Sequence, residues 1–70
     1  MKKYYVEFEV KDSGEIFSIQ SRWFDTKKEA LDWFEDSFDL IREEISVFLM
    51  SAEFGEDEYG DIELEEVLLD

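Results

Sequence analysis

Residues 26–44, TKKEALDWFEDSFDLIREE, form the only segment whose apolar positions recur at helical spacing, and strand-like segments flank it on both sides. Ala30, Phe34, Phe38, Ile41 and Ile45 step by three or four and so share one side of a helix, with Leu31, Trp33 and Leu40 widening the stripe. Thr26 and Glu29 have capping-box spacing: the Thr26 hydroxyl can accept from the Glu29 amide while the Glu29 carboxylate reaches back to the Thr26 amide. Asp25 is a rival cap. Arg42 near the far end suits the helix dipole. No Gly or Pro stops the segment, so its end is set by the β-branched, strand-like run that follows.

The other side of this helix carries Glu29, Asp32, Asp36, Asp39 and Glu43 at one-turn intervals, with Glu35 and Glu44 nearby. Helix neighbours at these spacings lie about 5–6 Å apart, and like charges there cost a few tenths of a kcal/mol per pair. Lys27, Lys28 and Arg42 offset only the ends of the file.

On either side of the helix the period changes from 3.6 to 2. In residues 3–11, Tyr4, Val6, Phe8 and Val10 point one way and Tyr5, Glu7, Glu9 and Lys11 the other, as in a half-buried strand. Asp12, Ser13 and Gly14 signal a turn. Phe17, Ile19, Ser21 and Trp23 then alternate with Ile16, Ser18, Gln20 and Arg22, so the first 23 residues predict a β-hairpin. After the helix, residues 45–54 predict a third strand with apolar residues on both faces, which suits an inner strand or one covered by a partner. Residues 55–61, bounded by Gly55 and Gly60, predict an acidic loop. Residues 62–69 predict a fourth strand, with Ile62 and Leu64 facing in and Glu63 and Glu65 out. Its phase slips at Glu66, because Val67 and Leu69 take the opposite parity; a bulge or a frayed end accounts for that.

The expected fold is therefore α+β, in the order ββαββ, with one helix on one face of a four-stranded sheet. Residues 1–70 fit a single acidic domain. Two topologies satisfy the pattern: a fully antiparallel sheet, or one whose outer hairpins meet through parallel central strands one and four. In element order and size the chain resembles β-grasp domains, which have the latter arrangement. In it, Glu7 and Glu9 would approach Glu63 and Glu65 on the exposed face. Phe8, Phe17, Phe34, Phe38 and one of Phe48 or Phe54 are the expected aromatic core, whereas Tyr5, Trp33 and Tyr59 sit at or beside polar positions.

Charge narrows the choice of partner. Twenty-one acids against seven basic residues give a formal net charge of −14. That charge excludes direct nucleic-acid binding, since phosphates would be repelled, and argues against anionic membranes. Basic proteins are the complementary partners. No apolar run is long enough to span a bilayer, and no basic-then-apolar leader is present, so a cytoplasmic setting is expected, in the host cell if the chain is phage-encoded.

Chemistry-bearing motifs are absent. The chain has no His and no Cys, and none of its serines sits in a nucleophile-elbow pattern. The expectation is a non-enzyme with no cofactor. The 55–61 loop superficially resembles a calcium loop, but an EF-hand register places Gly55 and Tyr59 where side-chain oxygens are needed, so no dedicated metal site is expected. The three glycines do not fit P-loop or dinucleotide spacing.

What remains is the regular array of carboxylates. The charge exceeds the roughly 2–8 that solubility asks of a small domain, and the helical file repeats at an interval like that of phosphates along a nucleic-acid strand. In size, acidity and lack of catalytic groups the chain resembles the small acidic anti-defence proteins of phages and mobile elements. That resemblance implies an inhibitor that mimics DNA and occupies a basic nucleic-acid-binding protein, such as a CRISPR effector, a restriction enzyme or a transcription factor. The expected contact residues are Glu29, Asp32, Asp36, Asp39 and Glu43 in one strip and Glu56, Asp57, Glu58, Asp61, Glu63 and Glu65 in a second, with Trp33 and Tyr59 as anchors. The alternative is a non-enzymatic interaction module: a homodimer, an accessory subunit or an antitoxin, whose acidity serves solubility.

Overall fold

The computed structural model describes residues 1–37, 45–55 and 59–69, without the side chains of Asp12, Ile45 and Tyr59. It contains β1 (Lys2–Asp12), β2 (Glu15–Gln20), α1 (Lys27–Ser37), β3 (Ile45–Phe54) and β4 (Tyr59–Leu69) in the order ββαββ. The four strands form one sheet in the order β2-β1-β3-β4, and every neighbouring pair is antiparallel. This is the fully antiparallel topology. The β-grasp arrangement is overturned: β3 lies between β1 and β4, so Glu7 and Glu9 do not meet Glu63 and Glu65 across a strand pair. The reason lies in β3, whose two apolar faces suit the sheet interior.

The alternation in β1 decides which face the helix covers. Tyr4, Val6 and Phe8 stand opposite Ser51, Leu49 and Val47 on β3. Val6, Phe8, Val47 and Leu49 join Phe24 and Ala30 in the buried cluster, with Leu31, Trp33 and Phe34 packed on it from α1. The other face carries Tyr5, Phe48, Met50, Ile62, Leu64 and Val67 and has no described helix over it. Ile62 and Leu64, expected to face in, are 45 and 54 % exposed. They do lie on the apolar side of β4, but α1 sits on the opposite side of the sheet.

The phase slip in β4 is a bulge. Met50 pairs with Leu64 and Leu49 with Glu66, leaving Glu65 as the extra residue, one position before the expected slip. The bulge returns Val67 to the face of Leu64, opposite Phe48. A second shift then sets Leu69 opposite Val47.

The first hairpin is shorter than its alternation suggests. Ser13 and Gly14 both have positive φ, 53° and 84°, as the two-residue type I′ turn requires. β2 stops at Gln20. The chain then steps out of phase: the Val6 amide donates to the Ser21 hydroxyl at 2.9 Å, and Phe24 forms an isolated bridge with Tyr4. The step buries Phe24, 2 % exposed, under α1 and sends Trp23 to the other face, onto Tyr5 at 4.7 Å. Tyr5, expected near the surface, is only 3 % exposed because Trp23 covers it. Phe17, expected in the core, is 48 % exposed, because β2 is an edge strand that is exposed along its whole length. Phe8 is buried and Phe34 partly so, as expected; Phe48 and Phe54 are half-buried on the uncovered face.

The expected helix ran over residues 26–44. Its described part is Lys27–Ser37, and residues 38–44, including Phe38, Asp39 and Glu43, lie outside the described residues. Among the described residues no helix is long and apolar enough to cross a membrane.

Candidate functional site

Thr26 fixes the start of α1. Its hydroxyl accepts from the Glu29 amide at 3.2 Å and donates to the Glu29 carboxylate at 3.1 Å. Half of the expected capping box is present; the carboxylate takes the Thr26 hydroxyl rather than the Thr26 amide. This interaction holds Glu29 at the first turn, where a carboxylate complements the helix dipole.

From that start, Asp32 and Asp36 follow on the same flank. Glu29, Asp32, Trp33 and Asp36 line one shallow groove together with Arg22 and Phe24. The sequence step at residues 21–24 makes this groove, because it swings Arg22 and Phe24 beneath the helix. Trp33 is half-buried, with its ring centre 6.2 Å from Phe8 and 6.3 Å from Phe24. It packs at the edge of the core and at the same time forms part of the groove wall. The Arg22 guanidinium lies 4.3 Å from the centre of the Phe24 ring, a cation–π contact, and donates to the Trp23 carbonyl at 3.3 Å. Lys28 bridges to Asp32 at 2.8 Å across one helical turn, and that carboxylate holds the Lys28 ammonium above its ordinary pKa. The groove encloses about 260 Å³, below the roughly 300–1,000 Å³ of small-molecule sites.

The second expected strip is partly dispersed. Asp61 and Glu63 line a separate groove with Lys2, Ser51 and Glu53. Glu65 has a different role. Its carboxylate receives the Lys2 ammonium at 2.6 Å and the hydroxyl of buried Ser51 at 2.6 Å, on the helix-bearing side of the sheet. Expected to face out, Glu65 is only 23 % exposed at its side chain. It shares the parity of Glu63, which stands opposite Ser51, so its side chain falls on the helix-bearing side beside Lys2 and Ser51. The Lys2 bond, then the Ser51 bond, lower its pKa; the Glu65 carboxylate in turn raises that of Lys2. Glu56, Asp57 and Glu58, with the Tyr59 side chain, lie outside the described residues, as do Asp39 and Glu43.

Among the described residues, the acids of the two strips line separate grooves. At about 100° per residue, Lys27 stands roughly a third of a turn from Trp33, and its charge is felt at Glu65. Glu29, Asp32 and Asp36 look toward Arg22 and Phe24 instead. Only the helix strip gathers its described acids and an aromatic around one concavity. Arg22, Phe24, Lys2 and Glu53 were not expected as lining residues. For Phe24 the signal was the Trp23-Phe24 pair: adjacent aromatics in an extended segment must face opposite sides. Among the described residues, no three acids come together in a group able to hold a metal ion.

Comparison with protein-family models, with curated proteins and with solved structures returns no match to the chain.

Proposed function

We propose that this domain is a non-enzymatic binding protein that occupies the basic cleft of a nucleic-acid-binding protein, presenting carboxylates where that cleft otherwise holds phosphates. The observation that carries this reading is the convergence of Glu29, Asp32 and Asp36 with Trp33 on one groove. Carboxylates one helical turn apart offer a row of acceptors to Lys and Arg side chains, and charge-assisted bonds to Arg are the strong ones. Half-buried Trp33 supplies apolar contact beside them, as interface anchors do. The formal charge of −14 adds long-range steering toward a positive surface. Anti-restriction and anti-CRISPR inhibition are the biological settings that fit this chemistry, and the host cytoplasm is where such a partner resides.

The test separates a site from bulk charge. Tagged wild-type protein is used to capture partners from host lysate at low salt. It is compared with the triple variant Glu29→Lys, Asp32→Lys, Asp36→Lys and with a control of equal net charge, Glu15→Lys, Glu35→Lys, Glu66→Lys. The expected result is capture of a protein that itself binds nucleic acid and releases it on adding the domain. The groove variant should lose capture while the control keeps it. Equal behaviour of the two variants would refute the groove and leave only a charge effect.

A further inference from the structure

The helix covers one face of the sheet; the other face has an apolar centre and no described element over it. Three cross-strand pairs stand side by side there: Phe48 with Val67, Met50 with Leu64 and Ala52 with Ile62. Ile62, Leu64 and Val67 are 45, 54 and 47 % exposed. The Tyr5–Trp23–Phe54 stack, with ring centres 4.7 and 5.1 Å apart, continues this surface. A contiguous exposed apolar patch of this kind marks an interaction surface.

We propose that a second copy of this chain covers this face, two sheets stacking across a twofold axis into a four-layer helix–sheet–sheet–helix dimer. The distribution of charge selects that occupant. The carboxylates of Asp61, Glu63 and Glu65 lie by Lys2 and Ser51 on the helix side, and those of Glu29, Asp32 and Asp36 flank α1. On the uncovered face β1 presents Lys3, Glu7, Glu9 and Lys11, two cations and two anions, although Lys3 also reaches Asp25 at 3.3 Å. With Asp25 counted, the described charges here come to two cations and three anions, far less negative than the chain as a whole, so a copy is repelled least at this face, and an isologous contact lets Lys11 of one copy address the glutamates of the other. A basic partner is drawn instead to the helix side.

Shape agrees. The chain is a slab of 41 × 24 × 17 Å with a radius of gyration of 12.7 Å, against about 11 Å for a compact chain of this length. One broad face is large enough for the roughly 800 Å² per partner of a standard interface. Stacked sheets sit about 10 Å apart with interdigitating side chains, which turns the flat half into a sandwich. β3, apolar on both faces, is then covered on both.

Sedimentation equilibrium of the full chain tests this directly. The expected mass at tens of micromolar is twice the 8.4 kDa of the chain, and raising salt should leave it unchanged or tighten it. Leu64→Glu should weaken dimerisation at least tenfold while circular dichroism stays that of the folded chain, since Leu64 is exposed in the single chain. Ile62→Asp serves as a second variant. Should both fail to fold, isotope-filtered NOEs between labelled and unlabelled wild-type copies must link the methyls of Ile62, Leu64 and Val67 to the facing copy. A monomeric wild type, a dimer indifferent to Leu64→Glu, or contacts mapped to the β4 edge or to α1 would overturn the proposal. None of these outcomes involves the acidic groove, whose binding weakens with salt, so the two readings fail independently.

Discussion

Gly14 shows how far a single residue constrains this fold. Its φ of 84° closes the first hairpin, and a Cβ added there would meet nothing within 4 Å. The cost of Gly14→Ala is therefore backbone strain alone, about 1–2 kcal/mol, measurable as a lower denaturation midpoint with an unchanged slope. Glu65 is constrained by partners instead. Its folded pKa is lowered by Lys2 and Ser51, so its contribution is fully present above the ordinary carboxyl value of 4.5 and is lost as pH falls through the lowered one. Lys2 mirrors this: its raised pKa gives a contribution present below 10.5 and lost as pH rises through the raised value. Wild type should exceed Glu65→Gln in stability by a constant margin between those two values, with the margin shrinking at both ends of a pH series of urea melts. A margin independent of pH would mean that the ion pair contributes nothing. The Gly14 turn was legible because Asp-Ser-Gly between alternating runs has a known backbone requirement. The Glu65 pairing was not, because alternation sets Glu65 on the face opposite Ile62 and Leu64 but does not show that α1 and Lys2 lie on that face.

Elements were legible where a period was sustained. The even-numbered face of β1 and the two-sided β3 follow directly from alternation, and the start of α1 follows from Thr26 and Glu29. Thr26→Ala should cost roughly 0.5–2 kcal/mol, as loss of an N-cap does; no change in melting would mean that Asp25 takes over the cap. The end of β2 was not legible. Residues 16–23 alternate cleanly, yet the pattern breaks at Ser21 because burying Phe24 under α1 and stacking Trp23 on Tyr5 satisfies more aromatic surface than continuing the ladder. The side of the sheet chosen by α1 was equally hidden, because both faces of β3 are apolar and β4 offers Ile62 and Leu64 to whichever side is open. That ambiguity is a physical property of the chain: its sheet has two faces that want cover and one helix to supply it.

At the scale of the molecule, the described acids are sorted rather than spread evenly. One set gathers at the groove beside α1, another lies along β4 on the helix side, and the uncovered face mixes Lys3 and Lys11 with Glu7, Glu9 and the Lys3-paired Asp25. The sequence shows the charge and its spacing, and it placed Glu29, Asp32, Trp33 and Asp36 on adjoining turns of one helix. It does not show that Arg22 and Phe24 complete their groove, since that depends on the step at Ser21. The proposed function requires that this groove, and not net charge, recognises a basic partner. The most direct measurement is the affinity of the captured partner for wild type, for the Glu29→Lys, Asp32→Lys, Asp36→Lys variant and for the equal-charge control, each followed from low to physiological salt. The account predicts a steep loss of wild-type affinity with salt, abolition in the groove variant and near-wild-type binding in the control; equal weakening of both variants, or binding insensitive to salt, would contradict it.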